Sequence, residues 1–128
     1  MDYVSTRDKN LTVSAAKAIA TGIAPDGGLY CPTEIPQLTA DDFAALCAKD
    51  YRGRSADILG RFLTDFTAEE LETYAARAYA DEKFGGPDTA PLVKLEDGKY
   101  ILELWHGPTC AFKDMALQVL PRLMEAEA

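Results

Sequence analysis

Phe84-Gly-Gly-Pro-Asp88 separates two stretches of different hydrophobic period. The glycines lose the most backbone freedom on ordering, and proline lacks an N–H donor, so no helix is expected to run through them. Upstream, apolar residues recur at helical spacing; downstream they gather into two short extended runs. The boundary of an amino-terminal helical unit is placed there, giving expected domains of 1–88 and 89–128.

Upstream, residues 3 to 5 read as a short strand, and Ser14 opens a small-residue helix over 15–21 that Gly22 ends as a left-handed cap. Asp26-Gly-Gly28 is a turn, and Leu29-Tyr-Cys31 an extended piece closed by Pro32. Thr39 is an N-cap with Asp42 three residues on, followed by Phe43, Leu46 and Cys47 on one face. A helix over about 55–63 carries Ile58, Leu59, Phe62 and Leu63. Thr67 and Glu70 form a capping box for a third helix, whose apolar positions are Leu71, Tyr74, Ala75, Ala78 and Tyr79.

Downstream, Leu92 to Leu95 and Tyr100 to Trp105 flank Asp97-Gly98, a hairpin signature. Phe112, Met115, Ala116, Val119, Leu120, Leu123 and Met124 then form a stripe at helical spacing, which predicts a helix that Pro121 bends and an apolar face that would be exposed in this chain alone.

The chain has 128 residues and could bury roughly two thirds of its unfolded surface. With 48% hydrophobic and 27% charged residues it reads as globular rather than disordered. A net charge of -8 with scattered basic residues argues against nucleic acid, whose phosphates need clustered Lys and Arg. No segment approaches the ~20 apolar residues of a membrane span or has the layout of a leader, so no membrane partner and a cytoplasmic location are expected. Three dispersed cysteines, Cys31, Cys47 and Cys110, suggest reduced thiols, and with His106 the only histidine no metal site is expected.

Lys113 stands where the last helix should begin, a position where a cation is mildly unfavourable and the adjacent Asp114 favourable. An imine-forming lysine must spend time as a neutral amine, which an apolar wall of Ala111, Phe112 and Met115 and the helix terminus would both promote. Spacing alone equally describes a solvated lysine in an amphipathic helix. His106 reads as a packed or loop histidine with no identifiable acid partner, Thr109 as the helix cap, and Cys110 carries no mark of a nucleophile.

Leu104-Trp-His-Gly-Pro-Thr-Cys-Ala-Phe-Lys-Asp114 resembles the pyridoxal-phosphate lysine segment of the threonine synthase family. Tyr3-Val-Ser-Thr-Arg7, Gly22-Ile-Ala-Pro-Asp-Gly-Gly-Leu-Tyr-Cys-Pro32 and Ser55-Ala-Asp-Ile-Leu59 resemble its amino-terminal region in the same order. Asp8 departs from a common glycine and Cys110 from a common aliphatic residue. The resemblance implies an α+β chain: a mainly helical amino-terminal domain with short strands, then a β-hairpin and the first helix of a fold-type II pyridoxal-phosphate α/β catalytic region. It implies Lys113 as the catalytic residue holding pyridoxal 5'-phosphate as an imine, with His106 and Thr109 as candidates for substrate binding.

The implied reaction is that of a carbon–oxygen lyase acting on phosphates, converting O-phospho-L-homoserine and water to L-threonine and phosphate in the last step of threonine biosynthesis. No glycine-rich phosphate loop follows Lys113, so an amino-terminal fragment lacking the rest of the catalytic domain, and inactive alone, is expected. Two other readings remain open: a threonine-synthase-like phospholyase acting on another phosphorylated amino compound, and a noncatalytic module packing through the Phe112 to Met124 stripe.

Overall fold

A computed structural model describes residues 1–125. Three short strands, β1 (Asp2–Ser5), β2 (Thr12–Ser14) and β3 (Tyr30–Pro32), form an antiparallel sheet with β1 in the middle. Pro32 belongs to β3 itself, where an edge strand tolerates the missing donor. The Asp26 turn is tight because its carboxylate accepts from Ser5 Oγ and from the Gly28 amide, both at 2.8 Å. A side chain at Gly28 would collide with Ser5 Oγ.

Helix α1 (Ala15–Thr21) is capped by Ser14, whose hydroxyl accepts from the Lys17 amide. At its end Gly22 takes φ +75° with ψ -79°, a glycine conformation outside the expected left-handed helical well. Helix α2 (Ala40–Cys47) has the Thr39/Asp42 pair as a full capping box. Of its expected apolar face only Leu46 is buried; Phe43 and Cys47 are exposed because this short helix leans on one neighbour, α3.

Helix α3 (Tyr51–Phe62) starts four residues earlier than expected from Ser55, since Asp50 accepts from the Gly53 amide at 2.8 Å and caps it. The glycine and arginines of its first turn conceal the apolar period. Arg61 on α3 pairs with Asp57 at 3.1 Å and with Asp42 of α2 at 2.8 Å. Helix α4 (Ala68–Ala78) begins at the Thr67/Glu70 capping box. It packs along α3, with Leu71 close to Gly60, where even a Cβ would reach Leu71 Cδ1 at 3.5 Å. The short α5 (Asp81–Phe84) buries Phe84 and ends at Gly85, φ +74°.

Strands β4 (Leu92–Glu96) and β5 (Lys99–Leu102) pair around Asp97-Gly98, with a bulge between Lys94 and Glu96. Strand β5 ends at Leu102, short of the expected Trp105; the Glu103 amide still donates in register to the Pro91 carbonyl at 2.9 Å, but Pro91 has no N–H with which to carry the ladder on. Leu92, Leu95, Tyr100 and Leu102 are all more than half exposed.

The expected single last helix is two: α6 (Asp114–Leu117) and α7 (Leu120–Glu125). Pro121 lies in the first turn of α7, where no intrahelical donor is required, so it starts a helix instead of bending one. The break rotates the stripe. Val119 and Leu123 join Ala15, Leu71, Ala75, Ala78 and Tyr79 in the core, while Phe112, Leu117, Leu120 and Met124 are exposed. Among the described residues no helix is long and apolar enough to cross a membrane.

Candidate functional site

The segment from Glu103 to Lys113 runs from the end of β5 to the start of α6. His106 has an acid partner after all: its Nε2 lies 2.6 Å from Glu103 Oε2, and its ring stacks on Trp105 with centroids 5.8 Å apart. Three residues of separation is the spacing of helical neighbours, but residues 103–106 lie in an irregular connection after a strand, so helical spacing gave no reason to pair them. His106 and Lys113 share no hydrogen bond among the described residues.

Thr109 does not cap α6. Its amide and hydroxyl both donate to Asp114 Oδ2, at 2.8 and 2.9 Å, so the capping direction is the reverse of the expected one: the helix-side carboxylate ties down the loop. Asp114 is wholly buried. Burial is the largest influence on its carboxyl and opposes ionisation, but the Thr109 amide and hydroxyl, with the nearby Ala111 amide and Gln118 side chain, together outweigh it and hold the group below its usual range. Oδ1 has no hydrogen-bond partner among the described residues. Gly107 sits against this carboxylate, and Cys110 between them has φ +57°.

Lys113 follows as the first half-turn of α6, in helical backbone, its carbonyl accepting from the Ala116 and Leu117 amides at 3.0 and 2.8 Å. Its side chain is exposed and forms no hydrogen bond or ion pair among the described residues. The expected dipole of a long helix is absent, because α6 has only four residues. The expected apolar wall is present in part: Lys113 lines a shallow hollow of 430 Å³ with Tyr51, Leu104, Phe112, Met115, Ala116 and Leu117. Tyr51 and Leu104 come from α3 and from the end of the hairpin, and no local pattern predicts them.

The helical part of the chain also holds α6 in place. Tyr79 Oη donates to the Met115 carbonyl at 2.7 Å, and Lys83 Nζ to Gln118 Oε1 at 3.2 Å. Tyr51 packs edge-on against Tyr79 with centroids 5.0 Å apart, so one wall of the hollow and the anchor of α6 support each other. Among the described residues no group of three or more His, Cys, Asp or Glu side chains is arranged to hold a metal ion.

Residues 2–79 match the family model described as Threonine synthase N terminus. The threonine synthase of Methylobacillus glycogenes is 42% identical over 132 residues, covering 98% of this chain and 28% of that protein. That of Corynebacterium glutamicum is 41% identical over 132 residues, covering 99% and 27%. The crystal structure of PLP-bound threonine synthase from Brucella melitensis superposes with a TM-score of 0.91 at 39% identity, over 98% of this chain and 27% of that one. The chain thus spans little more than a quarter of the length of these relatives. The family model covers the sheet and the first four helices, the relatives extend the match through the Lys113 segment, and the chain therefore belongs to the threonine synthase family.

Proposed function

We propose that this chain is the part of a pyridoxal-phosphate-dependent threonine synthase that carries the cofactor-holding lysine, Lys113. The whole protein would convert O-phospho-L-homoserine and water to L-threonine and phosphate. In this reading residues 1–88 form the amino-terminal domain and residues 89–128 begin the fold-type II catalytic region.

The carrying observation is an amine with no internal partner at the rim of an apolar hollow, on backbone fastened from both sides. This fits the aldehyde end of the cofactor, which needs a lysine nitrogen free to react and a flat apolar surface for its ring. Lys113 would hold the group covalently, and Tyr51, Leu104 and Phe112 line the hollow beside that lysine. When bound, pyridoxal phosphate supplies the electron sink for carbanion chemistry at the substrate.

The chain's own contribution is proton handling. The Lys113 nitrogen would take a proton at the α carbon of the substrate and move protons at its β carbon as phosphate leaves and water adds. A neutral lysine requires desolvation, and Lys113 is exposed in this chain, so its cover is assigned to the remainder of the full-length protein.

The test is borohydride reduction of the full-length gene product after incubation with pyridoxal phosphate, with peptide mass mapping of the modified lysine. The expected result is a pyridoxyl group on Lys113, with O-phospho-L-homoserine giving threonine and phosphate. Modification elsewhere, or none, overturns the assignment of Lys113. Modification without threonine overturns the substrate and directs attention to other phosphorylated amino compounds.

A further inference from the structure

We infer that Asp114 is a positioning residue for Lys113, its buried carboxylate fastening the Gly107–Cys110 turn to the start of α6 so that the lysine between them has one orientation. This rests on the reading of Lys113 as the cofactor-holding residue. Four observations converge on it. Asp114 is 0% exposed, and its Oδ2 accepts from both the amide and the hydroxyl of Thr109, at 2.8 and 2.9 Å. At Gly107 an added Cβ would fall 2.6 Å from that same Oδ2 and 2.8 Å from Cγ, so the turn closes on the carboxylate only with glycine there. Cys110 is held at φ +57°, its amide donating to the Gly107 carbonyl at 3.0 Å; a side-chain-bearing residue keeps this conformation only where its surroundings impose it. The Asp114 amide donates to the Ala111 carbonyl at 3.0 Å, so the residues on either side of Lys113 belong to one hydrogen-bonded unit.

The lysine side chain has no partner of its own among the described residues, so the direction of its Cα–Cβ bond is set by the backbone: this unit fixes it on the loop side, and the Tyr79 bond to the Met115 carbonyl fixes it on the helix side. A charged carboxylate is a costly choice for the task. It is fully buried, its Oδ1 has no partner, and no Lys or Arg pairs with it among the described residues. A turn needed only to connect a hairpin to a helix would be served by exposed polar residues. A turn that must aim a lysine to within a fraction of an ångström needs a rigid, doubly accepting group behind it.

The experiment uses the full-length gene product in wild-type form and as Asp114→Ala, Asp114→Asn, Thr109→Val and Thr109→Ser. Pyridoxal phosphate affinity is measured by visible absorbance titration, labelling of Lys113 by borohydride trapping, and backbone order by amide hydrogen exchange over residues 109–113 without cofactor. Asp114→Ala is expected to weaken cofactor affinity by roughly 10- to 100-fold and to speed exchange across the turn. Asp114→Asn restores most of both, because its amide oxygen accepts the same two hydrogen bonds. Thr109→Val falls between, and Thr109→Ser matches wild type. A lower melting temperature in Asp114→Ala with wild-type affinity and labelling overturns the inference, and reduces Asp114 to a structural residue. If Asp114→Ala does not fold, Thr109→Val decides, and wild-type affinity in that variant overturns it. Wild-type protein without label at Lys113 overturns the functional reading and this inference together, whereas labelled wild type with an equally labelled Asp114→Ala overturns this inference alone.

Discussion

Gly107 lies directly against the carboxylate of Asp114, seven residues on and in the first turn of α6: a Cβ at Gly107 would sit 2.8 Å from Asp114 Cγ. The clash is with a buried, hydrogen-bonded group rather than with the end of a mobile side chain, so it cannot be relieved by a rotamer change. Gly107→Ala is therefore expected to destabilise the protein by about 1–3 kcal/mol, as overpacking does. Urea unfolding checks this, a lower midpoint at unchanged slope being the expected result.

Tyr79 links the helical part of the chain to α6 through its hydrogen bond to the Met115 carbonyl. Tyr79→Phe leaves that carbonyl without its donor and is expected to cost about 1–3 kcal/mol in the same assay.

The same tyrosine predicts an alkaline limit. Burial, the main cause, together with the neighbouring Tyr51 pushes its phenol from 10.0 up to about 12. Below pH 10 both states hold the proton and the contribution is complete; between 10 and 12 the unfolded chain releases it first, so stability falls as pH rises through that window. A pH series of melting temperatures should show a shallower alkaline decline in Tyr79→Phe than in wild type.

At the acid end, the Thr39 amide, the Arg61 guanidinium and the Thr39 hydroxyl hold the Asp42 carboxyl far below its ordinary 3.8. Its folded value is depressed, so its contribution is present above about pH 4 and is lost as pH falls through the folded value. Asp42→Asn should melt lower than wild type at pH 7, with the gap narrowing steadily below pH 4. A gap that stays constant with pH would show that the charge has no part in it.

Lys113 is exposed and unpaired among the described residues, so Lys113→Ala should shift stability by no more than about 0.5 kcal/mol. In the full-length protein the same variant should lose all borohydride-dependent labelling at that position. Unfolding measured beside the trapping assay separates a missing nucleophile from a missing fold.

Much of the chain was legible because its signals are local. The Thr39/Asp42 and Thr67/Glu70 boxes need only one turn of chain, and the Asp97-Gly98 turn only two residues, so sequence spacing determines them. The likeness of the His106 to Asp114 segment to the threonine synthase family was also readable residue by residue, and the family membership was borne out.

Tertiary structure decided what spacing cannot express. Asp50 rather than a later residue starts α3 because its carboxylate meets the Gly53 amide. The stripe from Phe112 to Met124 divides between core and surface because the chain breaks after Leu117, where Val119 and Leu123 can reach α1 and α4 only by a change of direction. Around Lys113, sequence determined the reactive group and its neighbours in the chain. The carboxylate that ties down its loop and the tyrosine of α3 that walls its hollow depend on burial and on long-range packing, and those exist only once the helices have met.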